Sequence, residues 1–95
     1  MVVKRNIAGI CFILERFKGT YEITKFYVLP DYRKDDNSLF FANGVIDLFD
    51  GNIDISTKKE NITAIKFWCK VAKKYPDCID KSDDTWARWL IKSNL

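Results

Sequence analysis

Ninety-five residues, 47% hydrophobic and 15% aromatic with a formal charge of +3, describe one small domain (residues 1–95) with enough apolar mass for a core. That excludes a disordered or multidomain chain. The mild positive charge suits an anionic ligand and falls short of a nucleic-acid-binding signature. No apolar run approaches the roughly 18 residues a membrane span needs, and the N-terminus lacks the pattern of a secretion signal. Cys11, Cys69 and Cys78 have no metal-ligand spacing and cannot all pair, which suits reduced thiols in a cytoplasmic protein. Histidine is absent, and with it the commonest general base and zinc ligand.

The β-branched and aromatic run from Asn6 to Phe17 reads as one strand, Lys18-Gly19 as a turn, and Thr20 to Leu29 as the partner strand of an antiparallel hairpin. Pro30 ends that strand, since it has no N–H for a central ladder. Asp35, Asp36, Asn37 and Ser38 are helix N-cap residues whose side-chain oxygens can accept from the first-turn amides. Phe41, Val45, Leu48 and Phe49 then share one helical face. Asp50-Gly51-Asn52 stops this helix, with Gly51 suited to a left-handed C-terminal position.

Ile53 to Ser56 alternates as a short strand. Glu60 or Asn61 opens a second helix with Ile65, Trp68, Val71, Ala72 and Tyr75 on its apolar face and Pro76 just past its end. Cys69 reads as a buried thiol. Lys66, Lys70, Lys73 and Lys74 read as a solvated face rather than a phosphate-binding one. The tail fits a helix through Trp86, Trp89 and Leu90 or a strand through the alternation of Thr85 to Lys92, and periodicity alone does not separate the two. The order β-β-α-β-α followed by this tail, with a right-handed crossover between its parallel strands, gives an α/β (α+β) domain. Its expected sheet is mixed and mainly antiparallel, with two helices packed on it.

Three segments stand at informative offsets: Val28-Leu29-Pro30-Asp31-Tyr32-Arg33 closing a strand, a strand opened by Asp50-Gly51-Asn52, and Asn61, Ala64, Phe67 and Trp68 on a helix. Together they resemble the acyl-CoA-binding half of the GNAT-type N-acetyltransferases, over roughly residues 7–75. The resemblance implies a GNAT-like core lacking the family's N-terminal strand and two helices, with the tail as its closing strand. It also implies acetyl-CoA as cofactor, held along Phe26, Tyr27 and Val28 and over the loop Arg33, Lys34, Asp36, Asn37 and Ser38, with Asn61 and Trp68 beside the cofactor arm. The family's two small loop positions fall on Asp36 and Ser38, so that a carboxylate stands where the pyrophosphate is expected.

Trp68 takes the position where the family often has a tyrosine that protonates the leaving thiolate, and an indole does not titrate. Glu22, on the strand before the loop, is the candidate catalytic base; alternatively it is an exposed glutamate paired with Lys18 or Lys25. The implied function is transfer of an acetyl group from acetyl-CoA to an amine acceptor. The alternative is a catalytically inactive GNAT-fold module that binds a macromolecule, with nucleic acid disfavoured. An uncovered sheet edge makes a homodimer plausible.

Overall fold

The computed structural model describes residues 2–3, 6–33 and 36–93. A short antiparallel pair, β1 (Val2–Val3) and β2 (Asn6–Ile7), precedes a five-stranded sheet. The sheet comprises β3 (Gly9–Phe17), β4 (Thr20–Val28), β5 (Gly51–Lys58), β6 (Ile79–Asp80) and β7 (Trp86–Ser93), in the spatial order β3-β4-β5-β7-β6. Its β4–β5 pairing is parallel and every other pairing antiparallel. Two helices, α1 (Asn37–Ile46) and α2 (Ile62–Ala72), cover one face. This is the expected α+β architecture, and the tail is the closing strand.

Periodicity explains the layers. On β5, Ile53 and Ile55 are buried beneath the helices while Asn52, Asp54 and Ser56 alternate to the other side. On β7, Ala87, Trp89 and Ile91 are buried and Trp86, Arg88 and Leu90 alternate away. Ile46, Ile53, Ile55, Val71 and Ile91 are the largest fully buried side chains. Asn61 opens α2 as expected: its Oδ1 accepts from the Ala64 N–H at 3.1 Å, a cap worth about 1 kcal/mol.

Several expectations need correction. The run from Asn6 to Phe17 is broken at Ala8 into β2 and β3. The first helix stops at Ile46, so Leu48 and Phe49 lie beyond it; Leu48 is exposed, and the fully buried α1 residues are Ala42 and Ile46. The second helix stops at Ala72, so Tyr75 is buried from the turn that follows it and not from the helix face. Gly51 opens β5 rather than capping α1. It has φ +148°, and a Cβ there would stand 2.3 Å from the Gly19 carbonyl oxygen of the β3–β4 turn. Cys69 is exposed, because its position on α2 turns away from Trp68 and Val71. Asp36 precedes α1 but its side chain makes no capping hydrogen bond, since the residue is left-handed, with φ +61°.

Candidate functional site

The site is built on a parting of strands. β4 and β5 pair in parallel only through Thr20↔Asn52, Tyr21↔Ile53 and Glu22↔Asp54. Beyond that point β4 follows β3 while β5 follows β7. A bulge accompanies the divergence: Ile13 pairs with Ile23 and Phe12 with Lys25, which leaves Thr24 as the extra residue, its hydroxyl donating to the Phe12 carbonyl at 3.1 Å. An inserted residue bends its strand and raises the local twist, so β4 swings away from β5 at this point.

A cavity of about 370 Å³ lies on the helical side of the gap, between the C-terminal half of β4 and the N-terminal half of α2. Its apolar wall includes Phe26, Val28, Ala64, Phe67 and Trp68. Phe26 anchors that wall, with ring centroids 5.2 Å from Phe41, 5.4 Å from Phe67 and 5.2 Å from Trp68. One end is polar, with Arg33 and Ser38; Asn61 also lines the cavity. Arg33 is fixed by its Nε, which donates to the Val28 carbonyl at 2.7 Å, and its guanidinium lies 5.2 Å from the centre of the Tyr27 ring.

The structure thus brings Phe26, Tyr27, Val28, Arg33, Ser38, Asn61 and Trp68 to one cavity. Asp36 and Asn37 adjoin it at the start of α1 without lining it, and Lys34 lies outside the described residues. The first intrahelical bond of α1 runs from Phe40 N–H to the Asp36 carbonyl at 2.9 Å, so the amides of residues 37–39 have no acceptor within the helix. Such amides suit an anion. Asp36 holds the left-handed turn that glycine adopts most readily, so the backbone entry to the helix keeps a glycine-like shape while a carboxylate is added beside it. The cavity's largely apolar wall with a cationic, amide-rich end suits a ligand that has an apolar arm and an anionic end. Sequence reasoning missed Thr63 as a lining residue; its place in the first turn of α2, two residues after Asn61, was the available signal.

Glu22 stands elsewhere. It belongs to the opposite face of the sheet, in the last β4–β5 pair before the strands part. Its partner is Arg16, not Lys18 or Lys25. Beside it Asp54 is held by Arg88 through both guanidinium Nε (2.9 Å) and Nη2. The two pairs line a second cavity of about 490 Å³ with Phe17, Trp86 and Leu90. Both guanidinium pKa values are raised, first by the hydrogen bond to their own carboxylate and then by its charge. This cluster was not legible from sequence, because it depends on the register that sets Glu22 beside Asp54. A third cavity shares Asn61 with the first and Ser56 and Trp86 with the second. The third cavity therefore lies between the other two, bordered by residues of both.

No protein-family model and no curated protein sequence matches the chain. Solved structures do. The ribosomal-protein-S18-alanine N-acetyltransferase of Escherichia coli superimposes with a TM-score of 0.75 at 9% identity, over 99% of this chain and 66% of that one. A Bacillus subtilis acetyltransferase in complex with CoA gives 0.71 at 16% identity, over 95% of this chain and 72% of that one. A GNAT-family acetyltransferase from Bacillus cereus gives 0.71 at 14% identity, over 98% and 68%. The chain spans 66% of the length of the Escherichia coli enzyme. At these identities the likeness establishes architecture: this chain has the fold of the GNAT acetyltransferases.

Proposed function

We propose that the protein is an acyl-CoA-dependent N-acyltransferase that passes an acetyl group from acetyl-CoA to an amine. The observation that carries this reading is the apolar cavity over the β4–β5 gap, closed at one end by Arg33, Ser38 and the opening amides of α1. Its lining suits a pantetheine arm among Phe26, Ala64, Phe67 and Trp68, and its polar end suits phosphate. A similar architecture in Bacillus subtilis was solved with CoA bound, which supports the same ligand class here. Bound acetyl-CoA would supply an activated thioester carbonyl.

In this reading Arg33 and Ser38 bind phosphate oxygens, while Phe26 and Trp68 exclude water from the arm. Glu22 accepts the proton of the acceptor amine, as the β4 carboxylate that stands where the strands part. Trp68 cannot donate a proton to the leaving thiolate, so solvent fills that role.

The test is thiol release. Free CoA thiol should appear from acetyl-CoA only when an amine acceptor is present. Glu22→Gln should slow transfer on the order of a hundredfold while acetyl-CoA affinity is unchanged. Tight acetyl-CoA binding without transfer to any amine in a broad panel would support the second reading, a non-catalytic binding module. That reading draws on the indole at Trp68 and on the ion pair between Glu22 and Arg16.

A further inference from the structure

The second cavity combines opposite charges in a fixed layout. The Glu22 and Asp54 side chains form its floor, 23% and 15% exposed, whereas the side chains of Arg16 and Arg88 form its rim, 53% and 49% exposed. Each guanidinium also feels the carboxylate of the neighbouring pair. Arg16 spends only Nε on Glu22, and Arg88 spends Nε and Nη2 on Asp54. Among the described residues, this leaves both Nη groups of Arg16 and Nη1 of Arg88 for an incoming acceptor. Asp83, the third carboxylate here, is committed to its own turn: its Oδ1 accepts from the Thr85 N–H at 2.8 Å and the Trp86 N–H at 2.7 Å. That turn holds Trp86 at the cavity wall, opposite Phe17 and beside Leu90.

This layout discriminates among ligands. A polycation would meet two guanidiniums at the entrance, and a simple anion would meet two carboxylates beneath. A small molecule with an ammonium and a carboxylate a few ångströms apart can address both layers at once, and charge-assisted hydrogen bonds reward the match. The apolar walls leave room for an aliphatic or aromatic side chain.

We propose that the open-face cavity is an acceptor site for a zwitterionic α-amino acid with an apolar side chain. Its ammonium lies over Glu22 and Asp54, and its carboxylate lies against Arg16 and Arg88. The acceptor role rests on the acyltransferase reading above. The floor carboxylates are the last β4–β5 pair before the strands separate, so the ammonium is the end nearest the gap. The shared residues Ser56, Trp86 and Asn61 join this cavity to the apolar one. In the transfer step, the ammonium gives one proton to Glu22 and the freed amine nitrogen bonds to the acyl carbon. The carbon–sulfur bond breaks and the thiolate leaves with the electron pair. Nitrogen then loses its second proton, the thiolate takes one, and the products are an N-acetyl amino acid, CoA thiol and one net proton.

The test is a titration of the intact protein without acetyl-CoA, followed by the indole N–H resonance of Trp86. The probes are L-leucine, isoamylamine (which lacks the carboxylate) and N-acetyl-L-leucine (which lacks the ammonium). L-leucine should move that resonance saturably, and each analogue should bind at least about tenfold more weakly, the size of one lost charge-assisted interaction. Trp86→Ala, at a half-exposed position that leaves the core untouched, should weaken L-leucine binding as read from backbone amide shifts of Asp54 and Arg88. Arg16→Gln should erase the advantage of L-leucine over isoamylamine. Equal binding of the amine, no saturable binding of L-leucine, or indifference to Trp86→Ala would each overturn the site. Because acetyl-CoA is left out, failure here is separable from failure of cofactor binding. If L-leucine binds but acetyl-CoA does not, the amino-acid site stands and its acceptor role falls.

Discussion

Asp36 shows how one residue can keep a backbone shape and alter its electrostatics. Its φ of +61° is glycine's territory, tolerated by aspartate better than by most L-residues. Asp36→Gly keeps the turn and removes a negative charge beside the helix start. Acetyl-CoA affinity should rise about fivefold, or roughly 1 kcal/mol, measured by calorimetry; an unchanged affinity would mean that the phosphates lie away from this turn.

A second residue-scale device ties the helix ends together. The Tyr75 hydroxyl donates to Asp47 Oδ1 at 2.9 Å, and Lys74 Nζ lies 2.9 Å from Asp47 Oδ2. Burial opposes ionisation of Asp47, but the hydrogen bonds from Lys74 and Tyr75 and the lysine charge outweigh it, so its pKa falls below 3.8. Tyr75 is raised above 10.0, first by burial and then by its bond to Asp47. A depressed carboxylate contributes stability that is present above its unfolded value and is lost as pH falls through the folded one. A raised phenol contributes stability that is present below its unfolded value and is lost as pH rises past it. Tyr75→Phe should therefore flatten the stability loss at both extremes, below about pH 4 and above about pH 10, in denaturant melts across pH. Identical profiles for the two proteins would contradict this role.

At the scale of elements, the order of strands and helices was legible because each carries its own period. Ile53 and Ile55 alternate as a strand; Ile65, Trp68 and Val71 recur as a helix. The tail was not decidable by pattern, since Trp86, Trp89 and Leu90 fit either period. Eight-residue pairing with β5 settles it as β7, with Trp89 inside and Trp86 outside. The Thr24 bulge and the charged cluster around Glu22 were hidden for another reason. The bulge is a register shift inside the β3–β4 hairpin and the cluster depends on the pairing of Glu22 with Asp54 across β4 and β5, and no local pattern encodes either register. The residues of the apolar cavity were legible because Asn61, Ala64, Phe67 and Trp68 lie at the cap and along one face of a single helix.

A close approach of two backbone segments belongs to this scale too. Gly51 meets the Gly19 carbonyl where β5 enters beside β4, and Asn52 N–H donates to that same oxygen at 2.8 Å. A methyl group there has no room. Gly51→Ala should cost about 2 kcal/mol and lower the melting temperature by about 10 °C; a melting temperature within a degree of the parent would show that the turn can move aside.

At the scale of the whole molecule, one geometric event organises everything described. β4 and β5 pair for three residues and then separate, opening the sheet between its two faces. The helical face offers an apolar cavity with a cationic end, and the open face offers a charged one. A transfer reaction between a large anionic donor and a small polar acceptor needs such a division, because the two substrates must meet at one point from different sides.

The measurement that bears most directly on this account is a calorimetric titration of the protein and its Ala64→Phe variant with acetyl-CoA. Ala64 lines the apolar cavity, and a ring there fills the space claimed for the pantetheine arm. The account predicts micromolar binding to the parent, weakened by about tenfold or more, roughly 1.4 kcal/mol, in a variant that still folds. No binding at millimolar ligand, or equal binding to both proteins, would contradict it.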